Sequence, residues 1–218
     1  MTTISRLREP ASAITHFIAM VLAIAGLVPV ILKALTNLNT VGVLAVVIFM
    51  CSMILLYASS ATYHGINIGG KVLEYFKKLD HMMIFVLIAG TYTPVCLLVL
   101  KGFVGTCLLV AIWTLAAIGI GIKALWINCP KWFSSVIYIG MGWTCLFCFG
   151  PILAALETSA FIWLLIGGII YTLGGIVYSL KIPGFDEKHK NFNTHDIFHL
   201  FVMGGSLCHF VFIYFFVI

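Results

Sequence analysis

Long apolar runs, interrupted only by short polar breaks, take up most of this 218-residue chain. A helix needs about 20 apolar residues to cross the hydrocarbon of a bilayer. Seven stretches qualify, at roughly 12–33, 41–63, 80–100, 103–122, 132–155, 160–180 and 196–217. The breaks carry charge or turn residues: Lys33 with TNLNT, GINIGGKVLEYFKK, Lys101-Gly102, Lys123 to Lys131, LETS, and KIPGFDEKHKNFNT. Only 9% of residues are charged and the mean hydropathy is +1.16, whereas a soluble domain carries about 25% charged residues. The expected fold is therefore all-α, a polytopic membrane protein with a seven-transmembrane-helix bundle forming one domain over 1–218. The N-terminus is polar and basic, and the apolar stretch behind it is too long for the core of a cleaved signal peptide.

The basic residues suggest an orientation. Arg6 and Arg8, Lys71, Lys77 and Lys78, Lys123 and Lys131, and Lys181, Lys188 and Lys190 fall in the N-terminus and every second loop. Only Lys33 and Lys101 fall on the other face. Lysine and arginine favour the cytoplasmic side, so the N-terminus is expected in the cytoplasm and the C-terminus outside, as an odd number of spans requires. A multi-pass protein of the cell membrane follows. The net charge of +5 is spread over short separate loops, which explains it as topology and excludes a nucleic-acid surface.

The cysteines do not form a disulfide framework. Cys51, Cys96, Cys107, Cys145, Cys148 and Cys208 lie in apolar stretches, where cysteine packs as a small hydrophobe. Cys145 and Cys148 make a C-x2-C with no second pair, and packing is its expected role. Cys129 sits in a short loop with no obvious partner. The glycines Gly167-Gly168, Gly174-Gly175, Gly204-Gly205, Gly119 and Gly121 are expected where helices approach closely.

The ionisable residues of the spans gather toward one face. Glu9 and His16 open the first span, His64 closes the second, Asp80 and His81 open the third, and His195, Asp196 and His199 open the seventh. Ionisable groups in a membrane are costly and usually serve a site. His195 and His199 stand at i and i+4, so they share a helix face about 6 Å apart along the axis. That spacing can present two imidazoles to one Zn²⁺, and His64 could be the third ligand, leaving a tetrahedral position open for water. Asp80 is placed to orient such a water or take its proton. Ser60, at i−4 from His64, shares its face. His209 lies about 15 Å further along the axis than His199 and cannot join the same ion; a hydrogen bond to another helix is its expected role. His189 is expected to be solvated. On spacing alone a proton relay of Asp and His fits as well as a metal centre.

Four stretches, E-P-A-S-A-I-T-H (9–16), S-S-A-T-Y-H (59–64), L-D-H-M-M-I-F-V-L-I-A-G-T-Y-T-P (79–94) and H-D-I-F-H-L-F-V-M-G-G-S-L-C-H-F (195–210), resemble the haemolysin III family of bacterial membrane proteins. That family belongs to the progestin and adipoQ receptor superfamily, which includes the adiponectin receptors. The resemblance covers nearly the whole chain with its motifs in order; Ser12 departs from it, where many members carry Asn. It implies seven helices, a cytosolic N-terminus and a zinc ion near the cytoplasmic face. The ligands would be His64, His195 and His199, with Ser60 and Asp80 around the zinc-bound water. Glu9, His16 and His81 are candidates for support around them.

Three functions follow as expectations. The first is zinc-dependent hydrolysis of a lipid amide or ester, ceramidase-like, with a membrane lipid as substrate, Asp80 as general base and Ser60 positioning water or oxyanion. The second is a sensor of membrane lipid state with structural zinc. The third is a haemolysin-type pore or proton-coupled transporter, which would need a polar path through spans that are nearly free of charge in their outer halves.

Overall fold

In the computed structural model the described residues are 7–180, 184–189 and 192–218. Arg6, Lys181 and Lys190, part of the expected charge asymmetry, lie outside them. The described residues form helices and no strands. They are α1 (Pro10–Asn37), α2 (Thr40–Gly65), α3 (Gly70–Pro94), α4 (Gly102–Leu125), α5 (Lys131–Gly142), α6 (Phe149–Ala155), α7 (Thr158–Leu180), α8 (Phe185–Lys188) and α9 (Thr194–Phe212). α3 and α9 each run on into a π-helical turn, Val95–Leu100 and Ile213–Val217, and a 3₁₀ segment, Trp143–Cys148, joins α5 to α6. Counting these extensions, 7 helical stretches are long and apolar enough to cross a membrane.

The spans match the apolar stretches with one instructive difference. α3 begins at Gly70, well before the hydrophobic run that opens near residue 80. Only residues 66–69 of GINIGGKVLEYFKK remain a loop. The segment KVLEYFKK has helical spacing of its own, and Glu74 pairs with Lys78 one turn on at 3.1 Å, an arrangement that supports an exposed helix. Asp80 and His81 therefore lie inside a continuous helix and not at its start. The extra turns carry Lys71, Lys77 and Lys78 away from the apolar layer.

The helices close into a ring. α1 packs on α2, α2 on α3 and α3 on α4; α5 packs on α7, α7 on α9, and α9 returns to α1. α2 and α3 are the most enclosed spans, and the α5–α6 span is the most exposed. Phe49, Met50 and Tyr57 of α2 pack with Phe212 of α9 in the core. Leu22, Leu35, Phe103 and Phe147 point outward, where only lipid can receive them. The break in the fifth span is braced from α3: the Tyr92 hydroxyl donates to the Gly142 carbonyl at 2.6 Å and accepts from the Cys145 N–H at 2.9 Å. Backbone groups released inside a membrane need such partners.

Close approach between α7 and α9 depends on one glycine of each pair. A Cβ on Gly167 would meet the His209 ring at 2.5 Å, one on Gly174 would meet Phe201 at 2.7 Å, and one on Gly205 would meet Tyr171 at 2.7 Å. Gly168 and Gly121 face open space, so the expectation holds for only part of the set. His209 also differs from its expected role. Its Nδ1–H donates to the Gly205 carbonyl of its own helix at 2.8 Å, and its ring stacks on Tyr171 of α7. The small residues facing it leave room for a ring and supply no polar partner. His189 is exposed and bonds the Phe185 carbonyl within its loop.

Candidate metal centre

The start of α9 sets two of the histidines. Asn193 caps it, accepting from the His195 N–H at 2.8 Å, and the Asp196 carboxylate accepts in return from the Asn193 N–H at 2.7 Å. Such a reciprocal cap satisfies donors that a helix end leaves unpaired. Asp186 of α8 secures the same turn, accepting from the Thr194 N–H at 2.7 Å and the Thr194 hydroxyl at 2.6 Å. From α1, the Ser12 hydroxyl donates to the other oxygen of Asp196 at 2.5 Å. The cap thus locks α9 to α1.

His64 is held from the other side. The Glu9 N–H donates to the His64 carbonyl at 3.0 Å, and the Glu9 carboxylate accepts from His64 Nδ1. Arg8 supports Glu9 at 3.4 Å, donates to the Tyr63 carbonyl at 2.9 Å and lies over the Tyr63 ring. Burial raises the Glu9 carboxyl, but the hydrogen bond from His64, with the charges of Arg8 and Lys131, outweighs it and holds the group below its ordinary value. A carboxylate on Nδ1 fixes the His64 tautomer and leaves Nε2 as a free lone pair.

That lone pair faces α9. His64 Nε2 and His195 Nε2 stand 3.3 Å apart. Two nitrogens each about 2.0–2.1 Å from one tetrahedral zinc would be separated by about 3.3 Å. His199 completes the group, with its ring 4.9 Å from His64 and 4.6 Å from His195 between centroids. One ligand atom from each of the three lies within 4.8 Å of the others. The Nδ1 atoms of His195 and His199 are buried without a protein partner. Three imidazoles, one backed by a carboxylate, fit a borderline-soft divalent ion. They could hold a metal ion.

The other expected site residues border the same space. Asp80, Ser60, His16 and His81 line a cavity of about 180 Å³ together with His195 and His199. The cavity follows α3 from Asp80 to Val95, roughly 22 Å of helix, between α3, α5–α6, α7 and α9. Away from the histidine cluster its walls are mainly apolar: Leu87, Ile88, Ile152, Leu164 and Val202 are among them, and Thr91, Thr172 and His209 also line it. The Ser60 hydroxyl is buried and unpaired. His81 is engaged elsewhere: Nδ1–H donates to the Lys77 carbonyl at 2.8 Å, and Nε2 faces the Tyr178 hydroxyl at 3.4 Å. It anchors α3 to α7 and is not grouped with the other histidines.

Two features escaped the sequence. Tyr178 and His195 line both the apolar cavity and a second, polar pocket of about 80 Å³ bordered by Lys131, Asp186, Asn193 and Thr194. No local signal marks Tyr178, which α7 carries to α9. Cys129, which has no partner visible in the sequence, has two in the fold. The buried Lys123 ammonium donates to its sulfur at 3.1 Å, and the Ser134 hydroxyl lies 3.3 Å from the same sulfur.

Seven apolar helices, with a mainly apolar cavity among them that is bordered at one end by clustered imidazoles, define a polytopic membrane protein with a candidate metal centre. A family profile described as haemolysin-III related matches residues 4–210. The chain belongs to that family. Among its relatives, "Hemolysin-3" of Bacillus cereus is 40% identical over 211 residues, covering 96% of this chain and 92% of the relative. "Hemolysin-3 homolog" of Bacillus subtilis (strain 168) is 39% identical over 198 residues, covering 91% and 89%.

Proposed function

We propose that this membrane protein binds zinc through His64, His195 and His199 and hydrolyses an amide or ester bond of a membrane lipid at the cytoplasmic face of the cell membrane. The observation that carries the reading is the pair of Nε2 atoms 3.3 Å apart at the end of a long apolar cavity. Zinc in such a setting lowers the pKa of water to about 7 and polarises a carbonyl. Three protein ligands are the pattern of sites that keep a position open for chemistry, which favours a hydrolase over a sensor with a closed structural site.

The chain's own residues would divide the work. The apolar cavity takes the hydrocarbon and excludes water from the scissile group. Asp80 takes a proton from the attacking water and returns it to the leaving nitrogen or oxygen. The Ser60 hydroxyl, buried without a partner, holds an oxygen of the substrate. The polar pocket behind Tyr178 and His195 gives the hydrophilic product a side of its own. Arg8, Lys71, Lys77, Lys78, Lys123 and Lys131 flank the imidazole end of the bundle in sequence, and the preference of basic residues for the cytoplasm puts that end inside.

Elemental analysis of the purified protein, paired with an untargeted lipid comparison between wild type and His64→Ala, tests the reading. Zinc at one ion per chain, lost in His64→Ala and in His199→Ala, with accumulation of an intact acyl lipid, is the expected result. Full metal occupancy in His199→Ala removes that residue from the site. Metal without any lipid change argues for the sensor.

A further inference from the structure

Lys123 stands in the last turn of α4 and is 2% exposed. A lysine taken out of water in this way needs a counter-charge or gives up its proton. Among the described residues no carboxylate forms an ion pair with it. Its ammonium faces two side chains from the turn into α5 instead, the Cys129 sulfur at 3.1 Å and the Ser134 hydroxyl at 2.6 Å. That hydroxyl lies 3.3 Å from the same sulfur, so the three groups close a triangle. The Tyr138 ring stands 6.0 Å from the ammonium. A thiol is a weak acceptor, whereas a thiolate supplies the missing negative charge. Burial raises the Cys129 thiol, but the hydrogen bonds from Ser134 and Lys123 and the Lys123 charge outweigh it and hold the group below its ordinary value.

An amine and a thiolate in contact do not react with each other until one is oxidised. We propose that Lys123 and Cys129 are a modification site, joined by a reversible covalent bridge through one oxygen, Nζ–O–Sγ, with dioxygen as the oxidant. The Lys123 ammonium, the Cys129 thiolate and one dioxygen give the bridge and one water. The bond of dioxygen breaks; one oxygen bonds to Nζ and Sγ, and the other leaves as water with two of the three ammonium protons. Nitrogen and sulfur each give up two electrons, and dioxygen takes all four. The thiolate is the form of cysteine that oxidants attack. A direct N–S bond would require the 3.1 Å separation to close to a single bond length, whereas an inserted oxygen spans most of it. Cys129 is 8% exposed, a narrow access that a diatomic oxidant passes more readily than a bulky one. The bridge ties the last turn of α4 to the loop before α5, whose Ser135 and Tyr138 line the cavity. It depends on neither the metal nor the lipid reading of that cavity.

The test compares the full chain purified in detergent under nitrogen with a thiol reductant and the same protein held in air-saturated buffer. Each sample is unfolded, its free thiols are alkylated, and it is digested with trypsin, which cuts after a free lysine but not after one whose side-chain nitrogen carries the bridge. In air, cleavage after Lys123 is expected to be lost, and a peptide spanning 102–131 should appear with Cys129 unalkylated. Its mass should be greater by one oxygen and smaller by two hydrogens. Dithiothreitol should restore both the cut and the alkylation. Cys129→Ser should be cut after Lys123 in every sample. Lys123→Arg keeps the cation but lacks the amine; it should be cut at that position in every sample and serves if the serine variant does not fold. Full cleavage after Lys123 in air would overturn the proposal. So would a block that survives in Cys129→Ser, or a Cys129 that takes up oxygen or forms a disulfide while Lys123 is still cut.

Discussion

Glu9 and His64 exchange two hydrogen bonds: the Glu9 N–H donates to the His64 carbonyl, and His64 Nδ1–H donates to the Glu9 carboxylate. The exchange pins the end of α2 to the start of α1 and turns the free Nε2 of His64 toward His195. A carboxylate behind a metal-binding imidazole typically contributes 10–100-fold in metal affinity. Glu9→Gln keeps the backbone bond but weakens the side-chain one. Zinc affinity, measured by competition with a chelating dye, is expected to fall by about that factor while circular dichroism stays that of wild type.

Ser12 and Asp196 make a comparable link between α1 and α9, with both residues buried. Ser12→Ala leaves one carboxylate oxygen without its donor and should cost about 1–3 kcal/mol, read as a lowered unfolding temperature in detergent. Ser12→Asn supplies an amide N–H and should unfold close to wild type. An alanine variant as stable as the parent would show that the contact contributes nothing.

The two adjacent glycines of α7 predict opposite outcomes. Gly167→Ala drives a methyl against the His209 ring, and overpacking of this kind costs about 1–3 kcal/mol. Gly168 meets nothing within 4 Å. Gly168→Ala should be neutral or gain up to about 1 kcal/mol from helix propensity. Thermal unfolding of both variants decides whether α7 and α9 touch along the face containing Gly167.

Cys129 should react as a thiolate at lower pH than an ordinary cysteine. Burial raises its thiol, but hydrogen bonds from Ser134 and Lys123 and the Lys123 charge outweigh that and bring it below the usual value of 9.0. The sign follows: alkylation by a small reagent rises with pH and levels off below the ordinary thiol midpoint. Lys123→Met should move the profile to higher pH. The stability gained from this pairing is present above the ordinary thiol value and is lost as pH falls through the folded one. Peptide mass spectrometry across a pH series reads the profile; an unmoved midpoint in Lys123→Met would exclude the pairing.

Hydropathy alone was enough to count the spans, because the cost of unpaired backbone in hydrocarbon forces each long apolar run into a helix. The i, i+4 spacing of His195 and His199 likewise put both rings on one face whatever surrounds them. The start of α3 was less legible: KVLEYFKK is polar enough to pass for a loop, and its helix rests on spacing and the Glu74–Lys78 pair. Contacts between residues distant in sequence were not legible at all. Glu9 reaches His64, Ser12 reaches Asp196, and Tyr178 divides the apolar cavity from the polar pocket only because α9 returns to pack between α1 and α7. Local chemistry determined the helices and which residues each one offers. The closing of the ring decided which of those residues meet, since packing and hydrogen bonding across helices depend on positions that no local pattern encodes.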